Sequence, residues 1–159
     1  LAPAIVMFDI CSQSSSLYNF PADIMEPLGY VTLIIAAFSA LRLAKFNIDT
    51  TQSSEFTGLP TPANALMLMA LAVLAEQGLA TLYQEYILLI SVTASLLLVS
   101  PIRMFSLKFK GFGIKGNELR YAFLLVSLII IIAVPQYSVL SVIAIYILLS
   151  TMRWLFVRN

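Results

Sequence analysis

Long segments with few or no charged residues are the feature that most constrains the fold of this sequence. They cover residues 28–44, 62–75, 86–102, 121–134 and 139–157, with a shorter segment at 1–8. A helix needs about 20 residues to cross roughly 30 Å of hydrocarbon, so the shorter segments must borrow flanking residues. The chain is 60% hydrophobic and has a mean hydropathy of +0.95, unlike a soluble domain. We therefore predict an all-α, polytopic transmembrane helix bundle of about five full spans, preceded by the end of another span.

Pro135 separates the last two predicted spans. The apolar stretch from Tyr121 to Met152 is too long for one crossing, and the sequence VPQYS predicts a tight hairpin within it. At the other end, Leu1 leads directly into LAPAIVMF without a basic n-region, which argues against a signal peptide. We interpret residues 1–159 as one membrane domain that forms the C-terminal part of a longer protein.

The loops between these segments sort by the sign of their charges. One loop holds Asp9, Asp23 and Glu26, another holds Glu76 and Glu85, and neither contains Lys or Arg. The nine cations lie elsewhere: Arg42, Lys45, Arg103, Lys108, Lys110, Lys115, Arg120, Arg153 and Arg158. If the spans alternate in direction, all of them emerge on one side, which the positive-inside rule assigns to the cytoplasm. We predict that the C-terminus and the loops at 45–61 and 103–120 are cytoplasmic.

The composition excludes several kinds of chemistry. Histidine is absent, which removes imidazole catalysis, and Cys11 alone supports neither an internal disulfide nor a zinc cluster. A net charge of +1 gives no cationic excess for binding nucleic acid. On the predicted cytoplasmic side, Asp49, Glu55 and Glu118 form no pair at i, i+3 or i, i+4, so they supply no acid/base dyad. The spacing G-x-G-x-x-G at 111–116 lies between two spans, not in a Rossmann unit, so it does not indicate a dinucleotide site.

Two cations and an amide end the first full segment, in the sequence ALRLAKFN at 40–47. Arg42 and Lys45 are three residues apart and share a helix face, and Asn47 follows near the helix end. In one interpretation these cations only reach for the headgroup region. In the other they bind an anionic ligand, because Arg offers a planar fork to phosphate or carboxylate. The next loop, FTGLPTPAN at 56–64, fits the second interpretation, since its Gly and Pro residues fix a bent return to the membrane.

The second cationic loop, SPIRMFSLKFKGFGIKGNELR, covers residues 100–120. Cation and aromatic alternate at 108–110, which is typical of a segment that lies on an anionic leaflet. Arg103 lies where the preceding span reaches the surface, and it could face the same cavity as Arg42. In the loop before the second full span, we expect Thr61 to be the helix N-cap and Pro62 to take the first helical position.

These stretches together resemble a known family. ALRLAKFN followed by FTGLPTPAN, and VSPIRMFSLKFKGF about 40 residues later, are similar to the bacterial membrane type of phosphatidylserine synthase, in the CDP-alcohol phosphatidyltransferase superfamily. The opening LAPA looks like the continuation of that family's third span. The resemblance implies transfer of a phosphatidyl group from CDP-diacylglycerol to the hydroxyl of L-serine, giving phosphatidylserine and CMP. It also implies a location in the bacterial inner membrane, contact with membrane lipids, and a homodimer.

The resemblance implies a divalent metal cofactor, Mg or Mn, whose ligands this sequence does not contain. The family signature D-x-x-D-G-x-x-A-R…G-x-x-x-D-x-x-x-D supplies the ligands for two metal ions and the base. No two of Asp9, Asp23 and Asp49 have its spacing, and nothing matches D-G-x-x-A-R. We expect the signature immediately upstream of Leu1, so we assign no catalytic or metal-binding residue within the chain.

For a serine-using enzyme of this family, five residues are candidates for substrate binding. Arg42 is the first choice for the serine carboxylate or a phosphate oxygen, Asn47 for a polar contact, and Lys45 for pyrophosphate or headgroup charge. Arg103 and Lys108 are further candidates. The resemblance leaves open a related enzyme that uses inositol, glycerol phosphate or choline. A transporter or a structural membrane subunit is the alternative from another class, although the spans lack intramembrane acids and repeated broken helices.

Overall fold

The computed structural model describes residues 1–48, 55–107, 113 and 117–158, and most of them are helical. The α-helices are α1 (Ala2–Gln13), α2 (Ala22–Gly29), α3 (Ile34–Ile48), α4 (Thr61–Glu76), α5 (Gln84–Val99), α6 (Glu118–Ala133) and α7 (Ser138–Arg158). A 3₁₀ turn at Tyr30–Leu33 joins α2 to α3, and another at Pro135–Tyr137 joins α6 to α7. The hairpin expected at Pro135 is therefore present.

Among the described residues, two helical stretches are long and apolar enough to cross a membrane. They are Asp23–Ile48 with 26 residues, which runs through α2 and α3, and Pro135–Phe156 with 22 residues. The helices α4, α5 and α6 have 16 residues each, or about 24 Å at 1.5 Å per residue. These three are shorter than the hydrocarbon core, so the full set of five spans stays a prediction.

The helices pack around two clusters of buried apolar side chains. In the first cluster, α1 contacts α3, α4 and α5 and contributes Ala4, Met7 and Cys11. The second cluster lies where α6 and α7 meet the loops that precede α4 and α6. It contains Leu59, Met104, Phe105, Phe123 and Tyr146. Large side chains on α6 outside this cluster, including Leu125, Ile129 and Ile132, are more than half exposed. Such an apolar outer surface is suited to lipid.

Two short strands were not predicted from the sequence. Strand β1 (Glu55–Thr57) pairs antiparallel with β2 (Arg103–Phe105), with Thr57 opposite Arg103. The pairing brings the two cationic loops together at one end of the bundle. We call this the cationic end.

The loops without cations meet at the other end, which we call the acidic end. The Glu85 carboxylate, in the first turn of α5, accepts hydrogen bonds from the segment after α1. The Tyr137 hydroxyl, in the turn between α6 and α7, donates to the Leu79 carbonyl at 3.5 Å. Contacts thus join loops of like charge at each end, and the side of a membrane that each end faces stays a prediction.

Candidate functional site

The return loop before α4 is held against the end of α5 by its backbone. The Gly58 N–H donates to the Ile102 carbonyl and the Leu59 N–H to the Leu97 carbonyl, each at 2.9 Å. Gly58 has φ +75°, and a Cβ there would lie 2.3 Å from the Leu98 carbonyl oxygen. Only glycine fits this close approach. The bent return to the membrane that FTGLPTPAN predicts is therefore present.

Arg42 reaches from α3 to the first residue of α4. Its side chain is half-buried, and its Nη1 donates to the Thr61 hydroxyl oxygen at 3.1 Å. The prediction that Thr61 is an N-cap was wrong: the cap position belongs to Pro60, and no side chain caps the helix. The hydroxyl instead orients the guanidinium, since a bonded Nη1 fixes the plane of the fork.

Two polar atoms beside this contact are buried without a partner. Neither the Arg42 Nε nor the Asn64 Oδ1 makes a hydrogen bond within the part of the chain that the structure describes. The Asn64 side chain is 1% exposed and lies one turn along α4 from Thr61. Buried polar groups in native proteins are normally paired, so a buried donor and a buried acceptor left open indicate a place for a ligand.

The other sequence-derived candidates lie in different surroundings. Lys45 and Asn47, on the last turns of α3, are exposed. Arg103 is exposed opposite Thr57 in the strand pair, so the loop that carries it lies at the same end as Arg42. Lys108 lies outside the described residues. The structure brings Arg42 together with Thr61, whereas Lys45, Asn47 and Arg103 line the surface around this end.

Tyr146 connects the site to the second apolar cluster. Its hydroxyl donates to the Phe105 carbonyl at 3.0 Å, and its ring lies 5.0 Å from that of Phe105. The hydroxyl is within electrostatic range of Arg42. Sequence reasoning did not select Tyr146, Thr61 or Asn64 as site residues. Asn64 carried a signal in the sequence, because it is an amide directly before the apolar run ALMLMALAVL at 65–74.

The described residues do not form a metal site. No group of three or more His, Cys, Asp or Glu side chains within them could hold a metal ion. The described part of this chain therefore does not fit the divalent cofactor that the family resemblance implies.

The acidic end is organised around Glu85. Its carboxylate accepts from the Ser16 hydroxyl, from the Leu17 N–H at 3.0 Å and from the Tyr18 N–H at 3.5 Å. The Ser16 hydrogen bond is the largest cause that lowers the pKa of the Glu85 carboxyl to about 2. These hydrogen bonds to the carboxylate hold the segment after α1 against the first turn of α5.

A cavity of about 440 Å³ also lies at the acidic end, at the opposite end of α5 from the return loop. It is lined by residues of α1 and α2 with Tyr30 and Gln84, and the Gln84 side chain donates to the Cys11 carbonyl at 3.0 Å. The open donor and acceptor lie at the cationic end, so we place the candidate site there.

Comparison with known proteins supports the resemblance inferred from the sequence. Two curated relatives, from two strains of Helicobacter pylori, are both named CDP-diacylglycerol–serine O-phosphatidyltransferase. They are 29% and 28% identical to this chain over 134 residues, covering 79% of it and 53% of each relative. The chain thus spans about half the length of the curated relatives it matches. No family model matches the sequence.

Proposed function

We propose that this chain is the membrane part of an enzyme that transfers the phosphatidyl group of CDP-diacylglycerol to L-serine. The activity for which the two relatives are named supports this proposal. The observation in the chain itself that carries the proposal is Arg42, a half-buried guanidinium whose Nε has no partner among the described residues. Its charge and open N–H suit a small anionic ligand in a site partly shielded from water.

In the proposed complex, Arg42 binds the carboxylate of serine. Nη1 is already bonded to the Thr61 hydroxyl at 3.1 Å, and Nε–H, which has no partner among the described residues, is available for a carboxylate. Because the guanidinium is held in place before binding, less side-chain entropy is lost on forming the complex. Arg42 and Thr61 would thus fix the carboxyl end of serine and leave its hydroxyl free to point elsewhere.

In the proposed reaction, the serine hydroxyl oxygen forms a bond to the β-phosphorus of CDP-diacylglycerol. The bond from that phosphorus to the bridging oxygen breaks and CMP leaves with that oxygen. The hydroxyl proton passes to a base, which the family resemblance assigns to the aspartate signature. Holding the acceptor in line with this bond is the contribution expected of the chain described here. A bound divalent metal would supply charge neutralisation of the pyrophosphate. The described residues do not fit a metal. We propose that the metal ligands belong to a part of the complete protein that corresponds to the half of the relatives this chain does not match.

The exposed cations around the site are proposed to contact the donor lipid. Lys45 lies in the last turn of α3 and Arg103 lies at the edge of the strand pair. Both can reach a phosphate at the membrane surface, and Asn47 can offer a polar contact to the nucleotide. We propose the same role for Lys108. This arrangement requires the cationic end to face the cytoplasm of a bacterial inner membrane. From the family resemblance we also propose that the complete protein is a homodimer.

The test is release of CMP by the complete protein, including any residues that precede Leu1. Purified protein in detergent is mixed with CDP-diacylglycerol, a divalent metal and one acceptor at a time. We expect CMP with L-serine at a rate well above that with inositol, glycerol 3-phosphate or choline. CMP release with one of the other alcohols but not with serine would replace the proposed acceptor. If no acceptor releases CMP while the protein remains folded, the enzymatic proposal is wrong.

A further inference from the structure

Asn64 is a buried polar side chain on α4, one helix turn from Thr61, and its amide oxygen lacks a partner among the described residues. It is 1% exposed, and its Oδ1 makes no hydrogen bond with the residues that the structure describes. Leaving an amide oxygen buried and unpaired costs free energy. Stability therefore does not explain an amide among the apolar neighbours on α4.

The position of Asn64 follows from the spacing along α3 and α4. Ile35 and Arg42 are seven residues apart on α3, and Thr61 and Leu68 are seven apart on α4, so each pair shares a helix face. Ile35 and Leu68 both belong to the first apolar cluster. Two turns nearer the cationic end, Arg42 bonds Thr61. Asn64 therefore lies between that contact and the apolar cluster, about 4.5 Å from Thr61 along the helix axis.

We infer that Asn64 is a specificity-determining residue whose Oδ1 accepts a hydrogen bond from the ammonium group of the amino-acid acceptor. This inference rests on the proposed function. The amide oxygen is an acceptor and needs a donor. In serine the ammonium and the carboxylate are attached to the same carbon. These two groups suit a cationic donor bonded to Thr61 and an acceptor that lies about one helix turn from Thr61 on α4.

The hydroxyl of serine is a weaker candidate for this bond. It must approach the phosphorus of the donor lipid at the membrane surface, whereas Asn64 lies deeper in the bundle than Arg42. The ammonium carries three N–H donors and takes no part in the bond exchange. With Arg42 on the carboxylate and Asn64 on the ammonium, the hydroxymethyl arm is the part of serine left to point toward the surface. The pair would also discriminate against alcohols that lack an ammonium, because Asn64 would then stay buried and unpaired.

The experiment compares Asn64→Leu with the wild-type complete protein. Leucine has a similar shape and no acceptor. We expect the KM for serine to rise about 10- to 100-fold, the loss expected for one hydrogen bond to a charged group, with kcat and the KM for CDP-diacylglycerol changed less than about threefold. The melting temperature without serine is expected to stay equal or rise, because an unpaired buried amide has been removed. Asn64→Asp keeps an acceptor and is expected to recover part of the serine affinity.

Two serine analogues separate binding of the ammonium from a general disturbance of the site. Ethanolamine lacks the carboxylate, and 3-hydroxypropanoate lacks the ammonium. As competitors against serine, ethanolamine should lose potency in Asn64→Leu, while 3-hydroxypropanoate should keep its potency. The matched control is Ser91→Ala, where the side chain is also fully buried but its hydroxyl already donates to the Ile87 carbonyl at 2.7 Å. This control should leave the KM for serine unchanged.

Three results would overturn the role of Asn64. They are an unchanged KM for serine in Asn64→Leu, an equal loss of potency for both analogues, and a lower melting temperature that accounts for the loss of activity. Failure of the proposed function is recognised separately, because the wild-type protein would then release no CMP with serine.

Discussion

The two ends of the bundle treat their charged side chains in opposite ways. At the acidic end, the Glu85 carboxylate accepts from one hydroxyl and two backbone N–H groups. At the cationic end, the guanidinium of Arg42 has one partner in Thr61, and its Nε stays open among the described residues together with the Asn64 Oδ1. A satisfied charge stabilises the fold, whereas a buried polar group left open lowers stability and is ready to bind a ligand.

This difference favours the cationic end as the place where a ligand binds. Both ends hold loops with charged residues, and the cavity of about 440 Å³ lies at the acidic end. A cavity provides room for a ligand but does not by itself provide recognition. The hydrogen-bond inventory favours the cationic end, because a polar substrate is recognised by donors and acceptors that are already positioned and still unpaired.

The largest effect on stability is expected for Gly58→Ala at the cationic end. A Cβ there would lie 2.3 Å from the Leu98 carbonyl oxygen at φ +75°, so the return loop must move. We expect a loss of about 3 kcal/mol or more in the free energy of unfolding. The matched control is Gly78→Ala at the acidic end, which has φ +69° but nothing within 4 Å of the added Cβ.

Gly78→Ala should cost only about 1 kcal/mol, the strain of a left-handed backbone. Unfolding of both variants in detergent, followed by circular dichroism, measures the difference. Equal losses would show that the return loop is not tightly packed against the end of α5.

A smaller effect is expected at the acidic end, and it depends on pH. The pKa of the Glu85 carboxyl is lowered from 4.5 to about 2 in the folded protein. A lowered pKa stabilises the fold fully above pH 4.5, and this contribution disappears as the pH falls toward 2. We expect Glu85→Gln to melt below the wild type at pH 7 and the gap to close between pH 4.5 and 2. A gap that does not change over this range would contradict the role of the carboxylate.

The smallest effects are expected for the exposed polar residues at the cationic end. Lys45 and Asn47 lie on the surface, where a single charge or polar contact is worth less than about 1 kcal/mol. Replacing either with alanine should change kcat/KM for serine less than about threefold. Loss of more than tenfold in Lys45→Ala would mean that the outer turn of α3 contacts serine and not only the donor lipid.

Much of the helical framework could be predicted because the apolar segments of the sequence coincide with helices. The segment 62–75 corresponds to Thr61–Glu76, and 139–157 corresponds to Ser138–Arg158. The start of the first long helical stretch was missed, since Asp23, Glu26 and Pro27 are typical of a loop, yet the stretch begins at Asp23.

The candidate site was only partly predictable. Arg42 could be selected from its sequence neighbours, because the Gly and Pro residues of the loop at 56–64 predict a bent return that a simple headgroup contact does not need. Its bond to Thr61, 19 positions away, and the pairing of Thr57 with Arg103 depend on long-range packing that no local pattern encodes. The isolation of the Asn64 Oδ1 has the same origin, since only the packed structure shows which polar atoms are left without partners.

The most direct test of the central claim measures activity and stability side by side in Arg42→Ala and Glu85→Gln of the complete protein. Arg42→Ala should lose about 100-fold or more in kcat/KM for serine, because several hydrogen bonds to a charged group disappear. Its melting temperature should stay close to that of the wild type, since a partly unpaired buried cation is removed. Glu85→Gln should show the reverse, with a lower melting temperature and nearly unchanged kcat/KM. If Arg42→Ala keeps its serine kinetics, or if Glu85→Gln is the variant that loses them, the serine site does not lie at the cationic end.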